Sequence, residues 1–143
     1  MTRAKNTTAL QALRSVPIFS SCSDRELRAI ARVGKEVTFD AGDVIYHEGH
    51  MGLGLHVVLE GETKVQIRGR TRRKLGPGAF FGEIALLDGG PRTATVVAET
   101  PVRAWTVPSW NFTSLLNDHP KLAVKILEEV SARLRAADSR VID

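Results

Sequence analysis

A single cysteine, Cys22, stands in 143 residues, so no disulfide can form within the chain. The thiol reads as a partly buried one in a cytoplasmic protein. Long apolar runs are missing too: none approaches the roughly 20 residues of a membrane span. The segment from Met1 to Asn6 has no apolar stretch of signal-peptide type behind it. Internal repeats and low-complexity linkers are absent from the sequence. Charge of one sign is scarce as well, with 20 Lys and Arg against 16 Asp and Glu, a formal +4. That mild excess suits a small anionic ligand as well as nucleic acid. What remains, 43% apolar and 25% charged, is ordinary for a soluble chain. The length suits one domain, taken as residues 1–143, with a real hydrophobic core.

Catalytic signatures are equally thin. A cupin-like metalloenzyme needs two closely spaced histidines and a carboxylate on barrel strands. His56 is followed by Val57, Val58, Leu59 and Glu60, with no His-x-His, and His47 and His50 lie near a glycine turn. No serine or cysteine sits in a recognisable nucleophile setting, and Ser109 reads as a helix cap. The chain is therefore read as a binding protein with no metal and no catalytic residue. A cupin-like enzyme is the rival from another class, and elemental analysis with a turnover assay separates it.

The pattern along the chain has three parts. Helices are expected over about 7–33: Asn6 or Thr7 caps the first, which carries Leu10, Leu13 and Val16 and ends before Pro17. Ser23 and Glu26 form a capping box for the second, with Leu27, Ile30 and Ala31 on its apolar face, and Gly34 stops it. Over about 35–108 the period falls to two, in short runs such as Val37/Phe39, Val44/Tyr46, His56/Val58, Val65/Ile67, Val96/Ala98 and Trp105/Val107. Glycines punctuate these runs. The expected class is mainly β with flanking helices, an antiparallel jelly-roll barrel. Over about 109–140 helices return: a short one capped by Ser109 with Phe112, Leu115 and Leu116, then one opened by Pro120. The last helix carries an apolar stripe of Ala123, Ile126, Leu127, Val130, Leu134, Ala137 and Val141, and Glu129 and Arg133 make an i,i+4 pair outside it. Arg68, Arg70, Arg72, Arg73 and Lys74 cluster around Gly69. Without interleaved aromatics or a recognition helix, they read as a solvated hairpin tip.

One stretch stands apart: Phe80 to Thr95. Gly82 opens a short apolar turn, Glu83-Ile84-Ala85-Leu86-Leu87, which Gly89, Gly90 and Pro91 stop before Arg92. A one-turn helix end offers free N–H groups to an anion. An arginine beside them completes a phosphate clamp. Glu83 cannot serve the anion and needs donors such as sugar hydroxyls. A ligand with one phosphate and one ribose hydroxyl satisfies both.

Phe-Gly-Glu-Ile-Ala-Leu-Leu, a short gap and Pro-Arg-Thr-Ala resemble the phosphate-binding cassette of the cyclic nucleotide-binding domain family. The order of elements is also the family's, so the resemblance covers nearly the whole chain. It implies a one-turn cassette helix within the β-region and a cyclic nucleotide, cAMP or also cGMP, as ligand. It implies that Arg92 and the Ala85 N–H bind the cyclic phosphate, that Glu83 accepts the ribose 2′-hydroxyl and that Gly82 lies against the sugar. Ile84 completes the contact surface. Thr93 is compatible with reaching the phosphate or a guanine 2-amino group. Where the catabolite activator has a hydroxyl pair against adenine, Ala137 and Asp138 stand. Neither carries a hydroxyl, and Asp138 is left as an acceptor for the adenine 6-amino group or a solvated charge. The family's last helix closes over the ligand and pairs with its twin, which implies a homodimer. The chain ends at Asp143 without room for a DNA-binding, kinase or channel segment, so a stand-alone cAMP sensor acting on a downstream protein is expected, without nucleic acid or membrane as partner. A structural dimerisation module with a degenerate pocket is the second alternative, and it predicts no nucleotide affinity.

Overall fold

The structure, a computed structural model, describes residues 9–51, 54–82, 86–87 and 90–137. Glu83, Ile84, Ala85 and Asp138, and the expected caps Asn6 and Thr7, lie outside the described residues. Residues 9–14 are helical (α1), followed by a 3-10 turn at Pro17–Phe19 and helix α2 at Asp24–Arg32. Strands follow: β1 Lys35–Phe39, β2 Val44–Tyr46, β3 Gly54–Glu60, β4 Thr63–Ile67, β5 Arg70–Leu75, β6 Phe80–Phe81, β7 Thr95–Ala98 and β8 Val102–Pro108. Helices α3 (Ser109–Asp118) and α4 (Pro120–Ala137) complete the order.

The strands form two four-stranded antiparallel sheets, β1-β8-β3-β6 and β2-β7-β4-β5. Among the described residues no ladder joins the two sheets. The fold is the expected antiparallel jelly roll with flanking helices, its two sheets stacked as layers and not closed into a barrel. Its layers meet through side chains: Val58 and Phe81 of one sheet pack with Val96, Ile45, Tyr46 and Val65 of the other. The opposite face of the first sheet is covered by helices. Leu55, Val57, Trp105 and Val107 share a core with Leu13, Phe19, Leu27, Ile30, Phe112, Leu122 and Ile126. Strands β3 and β8 are apolar almost continuously because both their faces are covered, whereas β5 at a sheet edge is exposed over five residues of six. Pro17 ends α1 as its ring requires, and the turn it starts buries Ile18 and Phe19.

The capping box of α2 forms as its spacing predicts. Ser23 accepts from the Glu26 N–H, and the Glu26 carboxylate accepts from the Ser23 N–H at 2.9 Å. That carboxylate also accepts from Lys125 Nζ of α4 at 2.6 Å. The two donors, Lys125 first, hold the Glu26 carboxyl below the usual carboxylate range. Ser21 Oγ donates to Glu129 Oε1 at 2.6 Å, so α4 is tied to the N-terminal helices twice. The side chain of Arg133, the expected i,i+4 partner of Glu129, lies outside the described residues. Between the ties lies Cys22, 8% exposed, whose thiol burial pushes up to about 11.

Two further expectations are corrected. Pro108, not Ser109, is the N-cap of α3, and it provides no side-chain cap. Ser109 is the first helical residue, placed there because β8 runs on to Pro108, whose fixed φ halts the strand. On α4, Leu122 and Ile126 are buried, but Leu127 (64% exposed) and Leu134 (57% exposed) are not. The apolar arc is wider than the contact with the sandwich.

Replacing Ser23 with alanine should lower unfolding free energy by about 1 kcal/mol, the usual cost of losing an N-cap, and lower the melting temperature by a few degrees. Urea denaturation monitored by circular dichroism checks this. An unchanged midpoint means that the cap contributes nothing.

Candidate functional site

The segment between β6 and β7 is anchored on both sides. Leu86 N–H donates to Gly82 C=O at 2.9 Å, the i to i−4 bond of a helical turn. Residues 86 and 87 are helical, with Leu86 buried in the helix-covered core and Leu87 39% exposed. Further on, Arg92 N–H donates to His50 C=O at 2.7 Å, and Gly49 N–H donates to Arg92 C=O at 2.8 Å. A bridge between Met51 and Pro91 extends this pairing. The backbone of Arg92 is thereby fixed to the turn after β2.

Its side chain turns inward. Arg92 is only 6% exposed. Nη2 donates to Gly54 C=O at 2.7 Å, at the start of β3. The guanidinium carbon stands 4.2 Å from the ring centre of Tyr46 in β2, within cation–π range. Nε and Nη1 are buried with no hydrogen-bond partner among the described residues. A carbonyl and an aromatic face attract the cation, but neither carries a countercharge. Desolvation lowers the pKa of the group from its ordinary value, yet an arginine remains protonated in a protein.

Gly82 makes that position possible. Its φ is +86°, which suits glycine. A Cβ there would fall 2.1 Å from Arg92 Nη1 and 2.4 Å from Gly54 O. Nη1, one of the two orphan donors, is thus packed against the backbone that opens the cassette. The structure brings Gly82 and Arg92 together. Thr93 is exposed in the bend before β7, and no hydrogen bond joins it to the guanidinium.

Behind Tyr46 lies a further layer that sequence reasoning missed. The His56 ring stacks on Tyr46 at 6.0 Å and 24°, Phe81 stands at 5.7 Å, and Phe39 meets His56 edge-on at 6.3 Å. His56 Nδ1 shares a hydrogen bond with Thr106 Oγ1 at 2.8 Å. Burial, with Arg92 adding, pushes His56 down to about 4, and burial pushes the Tyr46 hydroxyl up to about 12. Both rings stay neutral near pH 7, so the platform under the guanidinium carries no competing charge. The alternation of Val44 and Tyr46 did not reveal it, because a register shift between them leaves Val44 exposed while Ile45 and Tyr46 both pack between the sheets. The rings of His47 and His50 face each other 5.0 Å apart on the exposed turn. Among the described residues no three His, Cys, Asp or Glu side chains gather as a metal site requires.

Comparison with known proteins adds three findings. The family profile described as Cyclic nucleotide-binding domain matches residues 36–119. The chain is 36% identical over 127 residues to a cyclic nucleotide-gated potassium channel of Mesorhizobium japonicum, covering 89% of this chain and 35% of the relative. It is 27% identical over 138 residues to a CRP-like cAMP-activated global transcriptional regulator of Mycobacterium tuberculosis, covering 93% of this chain and 62% of that protein. The chain spans less than two thirds of the length of these curated relatives. Among solved structures, the N-terminal domain of a transcriptional regulator from Streptomyces coelicolor A3(2) superposes with a TM-score of 0.84 at 34% identity, over 92% of this chain and 98% of that one.

The buried imidazole predicts an acid limb in stability. In the unfolded chain His56 binds a proton below about pH 6.5, whereas in the folded chain it does so only near pH 4. Its contribution is complete above pH 6.5 and is lost as pH falls from about 6.5 towards 4, at up to about 1.4 kcal/mol per pH unit. Urea midpoints between pH 7 and 5 should fall in the parent and stay flatter in His56→Gln. Parallel curves would mean that His56 takes no part.

Proposed function

The chain belongs to the cyclic nucleotide-binding domain family, and on that premise we propose that it senses cAMP and relays occupancy through its C-terminal helices without chemical change to the ligand. The observation that carries this reading is the buried Arg92 guanidinium with two unpaired donors, packed on Gly82 at the mouth of the cassette turn. A cyclic phosphate supplies the missing negative charge, and the Ala85 N–H joins as a second donor. Glu83 takes the ribose 2′-hydroxyl, Ile84 lines the sugar side, and Thr93 lies near enough in sequence to add a hydroxyl. Asp138 receives the adenine 6-amino group, which favours cAMP over cGMP. Residues 1–143 act as one such domain in the cytoplasm. No helix among the described residues is long and apolar enough to cross a membrane.

The relay follows from packing. Leu86, one turn beyond Gly82, shares a core with Phe112, Leu115, Leu122 and Ile126 of α3 and α4. A phosphate that tightens the turn displaces Leu86, and the two helices re-dock. The ligand drives this only by binding the re-docked arrangement more tightly. Val124, Leu127 and Leu134 recur on one face of α4 at 54%, 64% and 57% exposure. That stripe is the seam of a homodimer in which α4 pairs with its twin.

Isothermal titration with cAMP, cGMP and 5′-AMP tests the ligand. Arg92→Ala should weaken cAMP binding more than tenfold, since hydrogen bonds to a charged group contribute about 1.5–3 kcal/mol each. Tyr46→Leu should weaken it by roughly tenfold through loss of the cation–π contact. Arg92→Ala should melt no lower than about the parent, because the buried charge itself is costly without its anion, whereas Tyr46→Leu keeps that charge without its ring and should melt lower. Undiminished affinity in Arg92→Ala removes the proposal.

The seam has its own check. Sedimentation velocity should show a concentration-dependent dimer in the parent and a monomer in Leu127→Glu/Leu134→Glu. A parent that stays monomeric at high concentration excludes this dimer.

A further inference from the structure

The most lopsided charge on the molecule lies far from the candidate ligand site in sequence, on β5. Residues 68–74 hold five cations, Arg68, Arg70, Arg72, Arg73 and Lys74, and no acid. Among the described residues strand β5 pairs with β4 alone and forms the outer edge of its sheet. Its five residues from Arg70 to Lys74 are exposed. Lys74 Nζ meets Glu99 Oε1 at 3.0 Å. Glu48, the other nearby carboxylate, accepts the backbone N–H of Arg68 at 3.2 Å. Among the described residues no carboxylate pairs with the side chains of Arg68, Arg70, Arg72 or Arg73.

The hairpin that carries them is well built. Arg68 and Gly69 both have positive φ, 53° and 78°, the conformation of a two-residue hairpin turn that follows strand twist. Between the pairs Val65–Arg73 and Gln66–Thr71 the register slips, and Arg72 is the extra residue of a bulge. A bulge re-aims the side chain it carries and locally increases the twist. One charge or one bulge is enough to blunt an edge strand against chance pairing. Four arginines without acids exceed that need, and each adds like-charge repulsion to the folded domain.

We propose that the β5 edge is a docking surface for an acidic, extended segment of a protein partner, which adds to the sheet beside β5. An edge strand offers unused N–H and C=O groups that a polypeptide can pair with and a nucleic acid cannot. Same-face side chains along a strand are about 6.8 Å apart, the spacing at which carboxylates of an added strand recur. Arginine binds such carboxylates through two parallel donors. The β4–β5 hairpin has no aromatic residue between Thr63 and Leu75, so the stacking platform on which single-stranded nucleic acid depends is missing there.

The probe is a fluorescein-labelled peptide of five Glu-Thr repeats, with five Glu-Pro repeats of equal charge as comparator, because proline cannot extend a ladder. Fluorescence anisotropy should show saturable binding of the Glu-Thr peptide that weakens with salt. The Glu-Pro peptide and the variant Arg70→Gln/Arg72→Gln/Arg73→Gln should each bind about tenfold more weakly, the effect expected of losing the ladder or three exposed ion pairs. An unchanged melting temperature of the variant confirms that it folds. The proposal is overturned by absent binding, by equal affinity for the two peptides, or by tighter binding to an oligothymidylate or to phosphatidylserine vesicles at the same ionic strength.

Discussion

The contact on which the site depends is between a buried cation and groups that cannot neutralise it. Removing a guanidinium from water costs several kcal/mol even after relaxation. The Gly54 carbonyl and the Tyr46 ring recover part of that cost, and the orphan Nε and Nη1 leave the rest outstanding. A protein selected for stability alone would place methionine or leucine at this position. Holding an arginine there makes sense when an anion spends time beside it, and the free domain is then kept less stable than it could be.

Position matters as much as charge. The Arg92 backbone is pinned by His50 and Gly49, its tip by Gly54, and its face by Tyr46, so three separate chain segments converge on one side chain. Gly82 then closes against it so tightly that any side chain would strike Nη1 or the Gly54 carbonyl. The guanidinium is therefore held in place by the fold itself, and on the function proposed above little ordering entropy remains to be lost on binding. The stack of His56 and Phe81 behind Tyr46 keeps that ring from turning away.

Much of this was legible in the sequence, because much of it is local. The capping box of α2 needs only Ser23 and Glu26, and the cassette turn needs only a glycine followed by an apolar run. The change of period at Lys35 marked the sheets, and Pro120 marked the start of α4. What stayed hidden was non-local. The Arg92–Tyr46–His56 column joins β2, β3 and the segment before β7, and no spacing rule links 46, 56 and 92. Ser109 looked like a cap because serine favours that position, but a strand running on to Pro108 moved the boundary by one residue. Leu127 and Leu134 fitted the helical period perfectly well. Periodicity reports which face is apolar, not how much of it the rest of the chain can cover.

The uncovered part of α4 bears on how the site and the helix are coupled. Interiors pack like organic crystals, so a displaced core side chain must be answered by its neighbours. Leu86 is 1% exposed and shares its core with Leu122 and Ile126, whereas Val124, Leu127 and Leu134 on the outer face of α4 are exposed. Two polar ties add to that packing, Ser21 to Glu129 at the surface and Glu26 to Lys125 partly buried, both at 2.6 Å. Exposed polar pairs contribute at most about 1 kcal/mol each. On the function proposed above, an anion bound at Arg92 has these ties to outweigh before α4 can shift.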